Sequence, residues 1–581
     1  MAMVKPASLV HPCSNYSSQN WKSAKRRWQP LAWHSLLWAG ASILLTAFPG
    51  RAAERIEFSY GLLEAYLPVD SLEAYAQTGT VDSNLAFYFR MLDSIAETKV
   101  RDALQVSHQI SPWQLSQLLY SPIGEESLQN IGTLIQTESR QNGFHALRAA
   151  LIQSAADPQG LSVLGVLRHF PLQSIRIDIA QILELSNHLS QFAALSKQTA
   201  NEIHSRAKAD ATAEGAIDPA TLPQLQGQGT FQFTKQTLNL QDERRNRNVP
   251  TDLYVPVFRG SMPASIPVVV YSHGYGETRT AAAPYLELLA SYGFVVIAPE
   301  HVGSNYQYQQ DLLAGLRHDS FAAHEFVDRP LDVSYVLDVL EQKNPTEFGN
   351  RLNLQQVGAV GHSFGGYTVL TLAGATVDFE QLRDQCQQDF LWRSFDTALL
   401  LECRALELEP LPDSVELLTN GQLRDPRIQS VLAITPVAGA IFGQQSLAQI
   451  DIPVLLVSGA SDPVTPLVVE QLQAFNWLTT PDKYLLLVDN AAHDVEITEL
   501  VDRLLLPSQI DSEASDELTA FLTHLRSVGL AFMKVYVAGR SEYHPYLKSS
   551  YVISLGVPPF NFSLIRAFPP EELGQPREEE R

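Results

Sequence analysis

The sequence predicts an α/β protein, a doubly wound and mostly parallel sheet carrying a lid insertion, preceded by a separate, mostly helical domain. Two observations carry this expectation. Between about residues 230 and 500, short apolar runs ending in loops that hold Gly, Ser, Asp or His alternate with helical stretches, as in buried parallel strands joined by helices. Residues 54–205 instead repeat leucine and isoleucine at helical spacing, as in Leu128, Ile131, Leu134 and Ile135, and again Leu161, Leu164 and Leu167. With 581 residues, 45% of them hydrophobic, the chain is also too long for one core.

Taken in order, residues 1–53 place Lys22, Lys25, Arg26 and Arg27 ahead of the apolar stretch Leu31 to Phe48 and the small residues Ala52 and Ala53. That order describes a secretory signal peptide or, if uncleaved, a membrane anchor through which the protein would associate with a membrane. Either way the body is expected to be exported, periplasmic or secreted. In the helical domain, 54–205, Ser121-Pro122 and Asp157-Pro158 read as helix starts, while Ser174 to Ile179 alternates and is left open as a strand. Residues 206–229 read as a linker. The catalytic domain is expected at 230–540, opening with a hairpin over Thr234 to Pro256. Strands follow at Ile266 to Ser272, Phe294 to Pro299, Val357 to Val360, Val431 to Ile434, Val454 to Val457 and Tyr484 to Val488. The insertion at about 376–427 reads either as a lid with an apolar underside over an acyl pocket or as a helical extension packed on the sheet. Residues 541–581 form a C-terminal extension whose acidic last part is expected to be disordered.

The chemistry centres on Gly361-His362-Ser363-Phe364-Gly365-Gly366, directly behind a strand. A serine hydroxyl is a poor nucleophile, so hydrolases place it on a tight strand-to-helix turn that presents it to a base and to backbone donors. His273-Gly274-Tyr275-Gly276, after an earlier strand, is the kind of loop that lends such a donor. Asp462 and His493 each lie just past a later strand. Serine, acid and histidine in that chain order follow the α/β-hydrolase arrangement and not the two protease orders. The expected roles are Ser363 as nucleophile, His493 as base, Asp462 as its orienting acid, and the backbone N–H groups of Tyr275 and Phe364 as the oxyanion hole. Asp489 and Asp494 remain alternatives to Asp462, which could also be an Asp-Pro turn or cap. His524 and His544 are weaker candidates for the base. His273 and His362 are expected to shape the loop and the elbow, and Glu300 and His301 to line the pocket or hold structure.

Through Tyr271-Ser272-His273-Gly274-Tyr275-Gly276-Glu277-Thr278-Arg279-Thr280, Pro299-Glu300-His301-Val302-Gly303-Ser304-Asn305 and the Ser363 motif, the chain resembles the α/β hydrolases. Within them it is similar to platelet-activating-factor acetylhydrolase-like and dienelactone hydrolase-like esterases, over about residues 235–500. In acetylhydrolases of that kind the acid usually follows the strand after the elbow strand. Here that strand ends Ile434-Thr435-Pro436 without an acid, so the resemblance implies the superfamily and only suggests the substrate. Residues 54–205 also resemble a helical domain of unknown function found ahead of cyanobacterial hydrolases, which implies no chemistry.

Other function classes find little support. The net charge of −22, from 41 basic and 63 acidic residues, repels nucleic-acid phosphates. No metal-ligand spacing and no phosphate-binding fingerprint occurs, so neither a metal nor a cofactor is expected. Once Cys13 leaves with a signal peptide, Cys386 and Cys403 remain, either as a disulfide or as two buried thiols. The function expected is a serine carboxylester hydrolase acting on lipid or other apolar acyl esters through an acyl-enzyme. The alternative is a non-catalytic hydrolase-fold protein that binds a lipid or a partner.

Overall fold

A computed structural model describes residues 53–90, 94–260, 262–388, 396–493 and 516–569. The signal or anchor segment, Asp494, residues 389–395 of the insertion and the acidic C-terminus lie outside the described residues.

The larger sheet has the strand order β15-β14-β13-β12-β11-β9-β10-β8-β7. It opens with the expected hairpin, β7 (Gln232–Asp242) and β8 (Arg247–Val257), paired antiparallel. Strands β10 (Val295–Pro299), β9 (Ile266–Ser272), β11 (Leu352–His362), β12 (Ile428–Ile434), β13 (Val454–Gly459) and β14 (Lys483–Val488) then run parallel. Their continuous apolar runs are what burial on both faces requires. On one face Val268, Val270, Ala359, Val431 and Leu456 join one core; on the other Val269, Tyr271, Val360, Leu432 and Leu455 join a second. The pleat sends alternate side chains to each.

β15 (Phe562–Ile565), antiparallel to β14, closes one edge of the sheet from within the stretch read as a C-terminal extension. Its four residues are all buried, and a run that short has no periodicity to read.

The N-terminal region is mixed and not purely helical. A four-stranded sheet, β2-β1-β6-β4, stands among its helices. β1 (Arg55–Tyr60) and β2 (Leu63–Pro68) form a hairpin about Gly61-Leu62, with Gly61 at φ 58°, and β6 (Ser174–Asp178) pairs parallel to β1 while β4 (Ile135–Thr137) pairs antiparallel to β6. A two-stranded ribbon joins β3 (Ser107–His108) to β5 (Leu161–Ser162). Leu62 and Leu63 stand exposed at the tip of the hairpin. Ser121 caps the helix Pro122–Leu134 as expected, by accepting from Gly124 N–H at 3.2 Å. Asp157 does not start a helix; it ends the helix Phe144–Ala156.

The longest helix, α1 (Ile179–Glu214), follows β6 directly and runs through the expected boundary at residue 205. At 36 residues it spans about 54 Å. Its buried Ala200, Ile203 and Ala207 belong to a core of the larger sheet. His204 bridges Ser563 of β15 at 2.6 Å and Asp489, just past β14, at 2.7 Å.

Membrane association through an N-terminal anchor is corrected: no helix among the described residues is long and apolar enough to cross a membrane.

Candidate active site

Ser363 stands between β11 and the helix α2 (Phe364–Ala373) with φ 54° and ψ −116°. A non-glycine residue held there stores on the order of 1–3 kcal/mol of backbone strain, which the surroundings must over-determine. They do so through close packing. A Cβ on Gly361 would fall 2.0 Å from Gly365 O, one on Gly365 would fall 2.0 Å from Ser272 O, and one on Gly366 2.5 Å from the Pro436 ring. Ser363 N–H donates to Ile434 O at 2.9 Å, and Val437 N–H donates to Ser363 O at 3.2 Å, so the turn is also pinned to the end of β12.

The three residues singled out in the sequence meet at the carboxyl ends of their strands. Ser363 Oγ lies 2.8 Å from His493 Nε2, and His493 Nδ1 lies 2.9 Å from Asp462 Oδ2. Asp462 is fixed by its own loop: Oδ1 accepts from Val464 N–H at 2.8 Å and Thr465 N–H at 2.9 Å, while Oδ2 also accepts from the Thr465 hydroxyl at 2.8 Å. The carboxylate that caps the Asp-Pro turn is thus the same one that lies against the His493 imidazole. An ionised carboxylate only accepts, so it places the imidazole proton on Nδ1 and leaves the Nε2 lone pair facing Ser363 Oγ. Asp489 is engaged by His204 and by Asn561, and His524 Nδ1 donates to Leu555 O, 2.7 Å away. Neither joins the group.

Phe364 begins α2, so its N–H has no carbonyl one turn below. Among the described residues neither it nor Tyr275 N–H donates within the protein. The orientation of Tyr275 N–H follows from a residue the sequence did not single out. Arg329, fully buried in the helix Glu325–Glu347, donates to His273 O at 2.7 Å and Gly274 O at 3.2 Å, with its guanidinium 4.3 Å from the Phe364 ring centroid. In a trans peptide the N–H points opposite to the C=O, so drawing Gly274 O inward turns Tyr275 N–H away from the guanidinium. Burial lowers the Arg329 pKa to about 10 against the raising influence of Glu325 and Asp332.

His273 and His301 lie beneath the loop and hold it. His301 N–H donates to His273 Nε2 at 3.0 Å, and His273 Nδ1 then donates to Gly274 O at 2.8 Å. His301 contacts Ser272 Oγ at 2.9 Å and Asp332 at 3.1 Å. Burial first, then the Arg329 charge, pushes both imidazoles well below their ordinary range, so neither is a cation. Glu300 accepts from Arg279 and Asn305, a structural role and not a pocket wall.

Glu277 joins the loop to the elbow. It accepts from Gly274 N–H at 2.8 Å and pairs with His362 Nδ1 at 2.7 Å, while His362 Nε2 lies 3.2 Å from His493 O. Burial raises the Glu277 carboxyl, but the His362 charge and hydrogen bond and the Gly274 amide outweigh it and hold it at about 2.

Cys386 and Cys403 form a disulfide with Cα atoms 5.8 Å apart. The described part of the insertion packs Leu382, Leu399, Leu401 and Leu408 into the sheet core, the helical-extension alternative of the two readings. A cavity of about 490 Å³ opens instead on the opposite face of the sheet, lined by Tyr271, Tyr285, Leu432, Leu522, Glu277 and His362 among others.

Sequence comparison adds two matches. Residues 52–178 match a family described as alpha/beta hydrolase of unknown function (DUF1400), and residues 209–310 match platelet-activating factor acetylhydrolase, isoform II. Together with the sheet they place the chain in the α/β-hydrolase superfamily. Both matches end before Ser363. No curated protein matches the chain.

Proposed function

We propose that the protein is an exported serine esterase. The observation that carries this reading is the hydrogen-bonded line Ser363 Oγ, His493, Asp462, at 2.8 and 2.9 Å, built on a serine at positive φ. In the reaction Ser363 Oγ attacks the ester carbonyl as His493 Nε2 takes its proton, and Asp462 stabilises the imidazolium. The oxyanion is received by Phe364 and Tyr275 N–H, donors of a kind worth about 2.7–4 kcal/mol each in the barrier. His493 then protonates the departing alcohol. Water, activated by the same imidazole, releases the acid from the acyl-enzyme and restores Ser363.

Lipid or other apolar acyl esters are the proposed substrates, supported by the match of residues 209–310 to an acetylhydrolase family. Export is supported by the basic, apolar and small-residue order of the first fifty-three positions and by the disulfide, which forms and persists in oxidising compartments. A fluorophosphonate probe tests the central claim. Wild type should label and Ser363→Ala should not; an unlabelled wild type, or equal labelling of both, refutes the reading in favour of a binding protein without turnover.

A further inference from the structure

Away from the serine, three carboxylates that no local motif joins come together. Asp396 precedes the short helix Leu399–Glu402, Glu402 ends it, and Glu470 comes from the turn of helix Leu467–Leu472. One oxygen of each lies within 4.8 Å of the others, and Glu402 and Glu470 are 0% exposed. Each carboxylate is anchored on one side by backbone N–H. Glu470 Oε2 accepts from Ala438 at 2.7 Å and Gly439 at 2.8 Å, Glu402 Oε1 accepts from Ile441 at 3.2 Å, and Asp396 accepts from Ala398 and Leu399.

A second observation is independent of the clustering. The other oxygen of each, Asp396 Oδ1, Glu402 Oε2 and Glu470 Oε1, is buried and has no hydrogen-bond partner. Buried polar atoms without partners are rare in native proteins, and each requires an explanation. Among the described residues no Lys, Arg or His pairs with any of the three. One shared proton would join two carboxyls, and joining all three, with Glu470 in the middle, would take two. A cation would engage all three.

We infer that Asp396, Glu402 and Glu470 form a binding site for a calcium ion. The donor set is all oxygen, which suits a hard cation and not zinc or copper with their preference for nitrogen and sulfur. Oxygens each about 2.3–2.6 Å from one calcium ion stand at most about 5 Å apart, which the observed spread satisfies. Magnesium holds its water more tightly and demands a smaller octahedron, so it fits less well. Burial, reinforced by the mutual repulsion of the acids, pushes the carboxyls of Asp396 and Glu402 well above their ordinary range, as expected of groups with no counter-charge among the described residues.

The site joins three parts of the catalytic domain. Asp396 and Glu402 belong to the insertion, next to Cys403 of the disulfide. Ala438 and Gly439, held by Glu470, follow Val437, which donates to Ser363 O. Glu470 itself lies on the first helical turn after the Asp462 loop. A bound ion would fasten the insertion to the supports of both residues.

Calorimetric titration of CaCl2 into the EDTA-dialysed full-length protein, together with thermal melts, tests the site. Saturable binding of one calcium per chain is expected, with a Kd of about 1 mM or tighter, as in extracellular calcium modules. Calcium at about 100 times that Kd should raise Tm by several degrees, and equal MgCl2 by much less. Glu470→Gln keeps an oxygen for the Ala438 and Gly439 amides and should lose the calcium response; Glu402→Gln serves if that variant does not fold. Absence of calcium binding by wild type overturns the inference. So does a calcium response that survives in the folded variant, or a variant that melts above wild type with no divalent dependence in either, since the carboxyls would then be held by protons.

Discussion

Replacing Asp462 by Asn changes one atom, and the structure dictates what that atom does. Oδ1 accepts from two backbone N–H groups, Val464 and Thr465, so in the variant that position must remain the carbonyl oxygen. The new NH2 group therefore takes the place of Oδ2, 2.9 Å from His493 Nδ1 and 2.8 Å from Thr465 Oγ1. It can only donate. His493 Nδ1 becomes an acceptor, its ring proton moves to Nε2, and Nε2 then faces Ser363 Oγ with no lone pair to receive a proton. Thr465 Oγ1 accepts the second amide hydrogen and can still donate to Thr435 O, 3.3 Å away, so no polar group is stranded. Steady-state hydrolysis of a short p-nitrophenyl ester should fall about 10⁴-fold in kcat, about 5 kcal/mol of barrier, while a thermal melt stays close to wild type. A folded Asp462→Asn variant retaining more than about a tenth of the activity would refute the assignment of Asp462 as the acid that orients His493.

Arg329→Lys keeps a charge but loses the fork that grips His273 O and Gly274 O, so kcat should drop about 10- to 100-fold with KM little changed; an unchanged kcat in a folded variant would separate Arg329 from the oxyanion loop. Glu277, held at about 2 against its ordinary 4.5, contributes stability that is fully present above pH 4.5 and is lost as pH falls through 2. Glu277→Gln should therefore be less stable than wild type by about 3 kcal/mol at pH 7 in denaturant titrations, with the gap closing toward pH 2 and a constant gap contradicting the linkage.

The parts of the site that lie at strand ends were legible because each announces itself locally. Ser363 follows an apolar run and sits between glycines; Asp462 and His493 each follow an apolar run of their own. The residues that hold these groups carry no such mark. Arg329 lies within a helix and reaches the Gly274 loop across 55 residues of sequence. Glu277 was visible in the loop, but its pairing with His362 spans 85 residues. Thr465 stood three positions after Asp462, where an Asx or Ser/Thr turn places a hydroxyl beside a carboxylate, so a local signal did exist. In the N-terminal sheet β6 was legible as an alternating run, but β1 was not: Glu57 on β1 is buried against Arg176 on β6 at 3.1 Å, so its strand lacks a clean apolar face. Acidity on an inward face hides a strand from any reading based on hydrophobic period.

The long helix after β6 bears on how this chain could have been assembled or divided. Its last turns supply Ala200, Ile203 and Ala207 to the interior of the sheet that holds Ser363, and its His204 grips Asp489, four residues ahead of His493. A hydrolase begun at residue 230, where composition changes, would be missing three buried side chains and the cover of its own edge strand. The two regions therefore share one core. Any comparison with a shorter enzyme of the superfamily should ask what stands in for that helix at β15.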